Sequence, residues 1–327
     1  MKHGWSAAFG PAAWIALALL ASFEFALHSD AVIERYRAVF AVGRAADKIA
    51  HVERTRPALL LLGNSRADNG VVPDAVLAAA GRPDGVAAFN LGMPGANALV
   101  LHGVTERLLA DGAAVPSDVF VTLDETLFQH EDSLGYYGFF ADRGELWRSG
   151  FHAELFGSLL RTWYYSGNLR QLREPDKLLR FAQASVGDVE PLGGGAAQTL
   201  GYRAGFKGRF QTREQLMAQE AGTRAPPDPR MAEAMLALVE RLHRAGARVH
   251  LVATPLYGRA SAFGPDAQPG PYADMMPALA ARGGRWLAVP LPELDADKFA
   301  DPGHLNDTGA RLYSAALGRA WAQERTQ

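Results

Sequence analysis

Ser65, Asp301 and His304 are the residue types of a nucleophile, an orienting carboxylate and a general base. Ser65 lies in Gly63-Asn64-Ser65-Arg66, directly after the apolar run Ala58-Leu59-Leu60-Leu61-Leu62. Such a run reads as a strand buried on both faces. A serine at its exit, just ahead of a helix, has its hydroxyl at the rim of a sheet, where the unpaired N–H groups of the helix start favour developing negative charge. Asp301 and His304 are separated by Pro302-Gly303, a pair that supplies the turn needed for a carboxylate and an imidazole to meet over so short a spacing. The chemistry that follows is acyl transfer at Ser65: His304 takes the hydroxyl proton while Asp301 holds the ring tautomer. Taken alone, Asp-x-x-His also fits a carboxylate beside a helix and an ordinary surface histidine.

Positioning these residues together requires alternating strands and helices. Strand-like segments at 58–63, 87–91, 119–123, 248–253 and 286–289 alternate with helical patterns at 73–80, 96–111, 229–245, 272–282 and 308–323. That rhythm predicts an α/β protein with a parallel sheet covered on both faces. It breaks over 126–228, which reads as a large insertion after strand three, on the sheet edge where active sites form. The insertion holds Tyr136-Tyr137, Phe139-Phe140, Trp163-Tyr164-Tyr165 and Gly193-Gly194-Gly195. Its aromatics fit either stacking on sugar rings or a small core of its own.

Residues 12–27 are apolar except for Ser22 and Glu24, and with Ala7-Ala8-Phe9 the stretch reaches the length of a membrane span of about 20 residues. Lys2 and His3 precede it, which predicts a single-pass anchor in the inner (cytoplasmic) membrane with the rest of the chain periplasmic. A cleaved signal peptide and a buried soluble helix are the alternatives. Glu24 inside such a span needs a partner or a place at the interface. Val32, Ile33, Tyr36, Val39, Phe40, Ile49 and Val52 recur at helical spacing and predict an amphipathic stalk helix over 31–56. The expected organisation is an anchor at 1–30, the stalk, and a catalytic domain at 57–327 carrying the insertion.

The chain has 327 residues, 48% of them hydrophobic and 21% charged, the composition of a folded protein. A net charge of -2 without any run of Lys or Arg gives nucleic acid no electrostatic footprint. The absence of cysteine excludes disulfides, a thiolate nucleophile and cysteine zinc sites. The nine histidines form no His-x-x-x-His pair, and Gly193-Gly194-Gly195 follows no strand, so neither a metal nor a nucleotide cofactor is expected.

Four blocks occur in order: Gly63-Asn64-Ser65-Arg66, Asn90-Leu91-Gly92-Met93-Pro94-Gly95, Thr122-Leu123-Asp124-Glu125 and Asp301-x-x-His304. Over residues 57–125 and 229–323 this order resembles the SGNH/GDSL hydrolase superfamily. The resemblance implies a flavodoxin-like three-layer α/β/α fold with Ser65 as nucleophile and Asp301 and His304 as orienter and base. It also implies an oxyanion hole built from the backbone N–H groups of Ser65 and Gly92. Asn64 stands where the family has aspartate. Block three departs from the family's Gly-x-Asn-Asp, whose asparagine is a further oxyanion donor; losing one such donor costs about 10² to 10³ in rate. Either Asn90, Asn69 or Arg66 substitutes, or the enzyme is a slow hydrolase; Arg66 fits either an anionic group of the substrate such as a uronate or a surface salt bridge or helix-face contact. A poor hydrolase that still forms an acyl-enzyme is similar to the membrane-anchored subset that O-acetylates exopolysaccharides such as alginate, beside a multi-spanning acyltransferase that delivers the acyl group. The resemblance therefore implies an O-acyltransferase acting on a glycan. An esterase on glycan or lipid esters, and a catalytically weak scaffold of a polysaccharide-modification complex, are the alternatives.

Overall fold

A computed structural model describes residues 10–37, 39–40, 42–82, 87–110, 115–130, 135–187, 199–205, 212–219, 225–265 and 267–325. The expectations for Lys2, His3, Ala7-Ala8-Phe9 and Gly193-Gly194-Gly195 lie outside those residues. The apolar run after Ala58 forms β1 (Leu59–Gly63), with all five residues buried. It is flanked by β2 (Ala88–Gly92) and β3 (Asp118–Leu123), followed outward by β4 (Arg248–Ala253) and β5 (Gly284–Trp286). The order is β2-β1-β3-β4-β5 and every pairing is parallel. Continuous apolar strands are what a parallel sheet buried on both faces demands.

Alternate residues of β1 feed two cores. Leu59 and Leu61 join Phe120, Val76, Tyr313 and Leu317, packed under helices Pro73–Ala79 and Asp307–Glu324. Leu60 and Leu62 face the other way, toward Thr105 and Leu242 of helices Ala98–Ala110 and Pro229–Arg244. The protein is thus α/β with a five-stranded, all-parallel central sheet covered by helices. The fifth strand lies earlier than the expected 286–289. Gly284 pairs with Val249, and a Cβ on it would come within 2.9 Å of the Leu251 side chain, so the chain enters the sheet at this glycine. Leu287 still donates to the Leu251 carbonyl before the chain departs toward Pro290.

The chain forms two compact units. One comprises Met1–Ala46, Tyr137–Phe139 and Arg143–Val189; the other, holding the sheet, comprises Asp47–Tyr136, Phe140–Asp142 and Glu190–Gln327. The expected insertion 126–228 is therefore shared between them. The expected stalk over 31–56 is two helices, Asp30–Arg35 and Gly43–Thr55. They are broken where Gly43 fits against Arg37 and the Ile33 carbonyl, too close for any side chain. Residues 12–27 form helix Pro11–Leu27, 17 residues long. At 1.5 Å per residue it reaches about 25 Å, short of the ~30 Å hydrocarbon core of a bilayer. Among the described residues no helix is long and apolar enough to cross a membrane, which corrects the expectation of a spanning helix. Glu24 has partners within its own unit: it accepts from the backbone N–H groups of Arg161 (2.7 Å) and Thr162 (2.8 Å) and pairs with His28.

At the amino edge of the sheet, buried Asp118 accepts from Arg248 Nε at 2.8 Å and His250 Nε2 at 3.0 Å. Burial pushes its carboxyl up, but the hydrogen bonds from His250 and Arg248 outweigh it and hold the group well below the usual carboxylate range. A carboxyl depressed in the folded state stabilises above its unfolded pKa of about 4 and loses that contribution as pH falls through its folded value. Asp118→Asn is expected to cost about 2–3 kcal/mol at pH 7. Urea denaturation should show the gap from wild type shrinking below about pH 4; an equal gap at pH 7 and pH 3 would contradict this account.

Candidate active site

The parallel register brings the carboxyl ends of β1, β2 and β3 to one edge, with Gly63 beside Gly92 and Leu62 beside Val121. The direction of winding reverses between β1 and β3, where open α/β sheets form their binding crevice. Ser65 stands here as the first residue of helix Ser65–Gly70. Its own N–H has no intrahelical carbonyl to reach. Opposite it, β6 (Phe299–Asp301) and β7 (His304–Leu305) make a two-stranded antiparallel hairpin that pairs Asp301 with His304 across Pro302-Gly303.

The hairpin delivers the geometry. Ser65 Oγ lies 2.8 Å from His304 Nε2, and His304 Nδ1 lies 2.8 and 2.9 Å from the two Asp301 oxygens. Burial raises the Asp301 carboxyl, but the hydrogen bond from His304 and the Gly303 N–H (2.9 Å) bring it below its ordinary value. A carboxylate so held fixes Nδ1 as the protonated nitrogen and leaves Nε2 to accept from the serine. Ser65, His304 and Asp301 are all part-exposed, so the hydroxyl is reachable.

The residues around the triad are tied down by name. Asn64 caps the serine helix, accepting from Arg66 N at 2.9 Å. Its amide donates to Asp124 Oδ2 (2.7 Å) and Thr126 Oγ1 (2.8 Å). Asp124, buried, also accepts from the Thr126 N–H at 2.8 Å as cap of the short helix Glu125–Phe128. Its carboxylate is therefore turned toward Asn64 and Thr126. The Arg66 guanidinium sits 3.6 Å from Asp124 with only 13% of its side chain exposed, under the backbone of Gly303. It offsets the Asp124 charge and supports the hairpin turn, and its Nη1 makes no hydrogen bond among the described residues.

Two expected oxyanion donors are spent elsewhere. The Gly92 N–H donates to Asn90 Oδ1 at 2.8 Å, and the Asn90 amide donates to the carbonyls of Ala67 (2.8 Å) and Val71 (2.6 Å). Both residues brace the serine helix from beneath. A Cβ on Gly92 would come 2.3 Å from Asp68 N, so glycine is required there by close packing. Asn69 likewise donates to the Ser65 carbonyl at 2.9 Å. Buried Lys48 completes the support, bonding Asp68 Oδ1 at 2.6 Å and the Gly92 carbonyl at 2.7 Å.

Sequence reading assigned no part to Gly95, Tyr202 or Gly205. Gly95, exposed and at φ 77°, lies in the turn after β2, and its N–H has no hydrogen-bond partner among the described residues. A glycine one turn beyond a strand at the reversal point is the signal that was available. Tyr202 and Gly205 hold the Asp307 carboxylate, the phenol at 2.6 Å and the N–H at 3.0 Å. The Tyr202 phenol is raised by burial and by that hydrogen bond, so it remains a donor. The same segment covers the free edge of β2 through Asn90 N to Leu200 O (2.8 Å) and reaches the serine helix through Arg203 N to Asp68 O (2.9 Å). It thereby connects the element bearing Ser65 to the one following His304.

A groove of about 360 Å³ opens past the end of β4, lined by Thr254, Arg259, Phe263, Trp286 and Leu291. A cavity of about 580 Å³ lies at the opposite edge, beside Pro57 and Pro116, away from the triad. Among the described residues no cluster of three or more His, Asp or Glu side chains could hold a metal ion. No family model matches the chain, and no curated protein matches it in sequence.

The Asn64–Asp124 pair yields a test. Asn64→Asp sets two carboxylates against each other in a buried place and is expected to cost about 1–3 kcal/mol, with a parallel fall in triad reactivity. The swapped double variant Asn64→Asp/Asp124→Asn restores an amide–carboxylate pair. It should recover most of both losses in a double-mutant cycle; additive losses would show that the pair does not hold the serine loop.

Proposed function

We propose that this chain is a serine acyltransferase of the SGNH/GDSL type. It moves an acyl group, acetyl in the simplest case, onto a hydroxyl of a cell-envelope or secreted polysaccharide at the periplasmic face of the inner membrane. The observation that carries the reading is the continuous hydrogen-bond chain from Ser65 Oγ through His304 to Asp301. The strand order supports the flavodoxin-like fold of that superfamily. The membrane location is supported by helix Pro11–Leu27, which leaves large apolar side chains exposed from Trp14 to Phe25. The glycan acceptor and a multi-spanning donor protein come from the resemblance.

In this mechanism Ser65 Oγ attacks the acyl carbonyl of the donor as His304 Nε2 takes its proton. The carbonyl oxygen becomes an anion, received by the backbone N–H groups of Ser65 and Gly95. Collapse expels the donor's leaving group, which takes the proton from His304, and leaves an acyl ester on Ser65. A sugar hydroxyl then gives its proton to His304 and attacks the ester, and the proton returns to Ser65 as the product forms. Asp301 stays ionised and stabilises the imidazolium at each stage. The partial exposure of Ser65 favours one second reading, an esterase, in which water takes the place of the sugar.

With an acetyl-ester chromophore as donor, the intact chain is expected to turn over. Ser65→Ala should lose about 10⁶ in kcat and Asp301→Asn about 10⁴. Mass spectrometry should find an acetyl group on Ser65. Adding an oligosaccharide acceptor should divert product from acetate to acetylated sugar. Acetate alone would establish the esterase, and chemistry indifferent to Ser65 would defeat both readings.

A further inference from the structure

We infer that the unit made of Met1–Ala46, Tyr137–Phe139 and Arg143–Val189 seats a second surface, besides helix Pro11–Leu27, in the interface of a lipid bilayer. The inference builds on the membrane location proposed above and is independent of the acyl chemistry. Its first support is where exposed apolar surface lies. Among the described residues, 15 of the 17 large apolar side chains left exposed belong to this unit. Eight of them lie outside the N-terminal helix, including Trp147 (64%), Phe156 (51%), Leu159 (54%), Trp163 (51%), Leu178 (53%) and Leu179 (58%). All but Leu160 occupy the short helices Arg143–Arg148, His152–Leu159 and Arg161–Tyr164, and helix Pro175–Val186. Water-facing apolar area on this scale marks an interaction surface.

The second support is continuity with the N-terminal helix. Glu24 receives the Arg161 and Thr162 N–H groups, and Arg161 Nη1 donates to the Leu27 carbonyl at 2.9 Å. These bonds fix the end of helix Pro11–Leu27 to the segment that exposes Trp163, whose ring meets Phe156 edge-on at 5.5 Å. Whatever covers the helix reaches this patch.

The third support identifies lipid as the occupant. At 100° per residue, positions 14, 15, 17, 19, 20, 23 and 25 point to all sides of the helix, and all are exposed. A protein groove covers one face of a helix; hydrocarbon covers every face. The exposed Trp147 and Trp163 match the aromatic belt of a membrane interface. Charge agrees: this unit carries 11 Lys and Arg against 8 Asp and Glu, whereas the sheet unit carries 22 against 27. A basic excess of this kind is drawn to anionic headgroups.

The absence of cysteine makes the test clean. Full-length Leu20→Cys, Trp163→Cys, Leu179→Cys and Leu312→Cys variants, each carrying a nitroxide, are reconstituted into phosphatidylethanolamine–phosphatidylglycerol vesicles. Collisions with oxygen and with a water-soluble nickel chelate are then measured by electron paramagnetic resonance. Leu312, exposed in the sheet unit, is the aqueous reference. Labels at 163 and 179 are expected to be shielded from nickel and open to oxygen, at a depth of about 5–10 Å, while the label at 312 stays in water. If 20 is in lipid but 163 and 179 match 312, this inference fails and only the membrane contact of helix Pro11–Leu27 stands. If 20 is aqueous as well, the membrane location itself fails. Shielding of 163 and 179 in native membranes but not in protein-free vesicles would identify a protein occupant and overturn the lipid assignment.

Discussion

The side chain of Asn64 is the joint on which the rest of the site depends. Its oxygen closes the first turn of the helix that begins with Ser65, and its two amide hydrogens go to Asp124 and Thr126 at the end of β3. Every hydrogen-bonding group it has is committed, so it has one stable orientation. That orientation ties the exits of β1 and β3 together and aims the serine at the hairpin. Below, the buried ammonium of Lys48 spans the serine helix and the end of β2. A charge at that depth is tolerated only because both partners are in place. Ser65 is thus held in place by a network of buried polar groups.

The same accounting explains how the buried side chain of Asp124 is satisfied. Its two oxygens face Asn64 and Thr126, with the Arg66 guanidinium nearby. Positions 64 and 124 hold an amide and a carboxylate, and the bond between them satisfies both at once.

Much of this could be read from residue order. Leu59 to Leu62 announce a strand with no polar face, and β1 to β4 fall within a residue of their expected positions because buried parallel strands are written as apolar runs. Ser65, Asp301 and His304 were legible because a strand exit, a Pro-Gly turn and a helix start each have local signals. What sequence does not reveal is where a donor is spent. Gly92 and Asn90 look like free groups at a strand end, yet they bond each other and the turns of the serine helix. Glu24 found its partners 137 and 138 residues away. The short helices between Arg143 and Tyr164 lack a clean period, since so many of their apolar side chains face outward.

Ser65 and His304 are 239 residues apart in the chain, and the histidine comes second. At a synthesis rate of about 5–20 residues per second, Ser65 exists for roughly 10–50 s before His304 is made. Throughout that interval the serine is an ordinary alcohol. The imidazole that it meets in the fold exists only after all five strands of the sheet have been made, so the Ser65–His304 pair is a late product of synthesis.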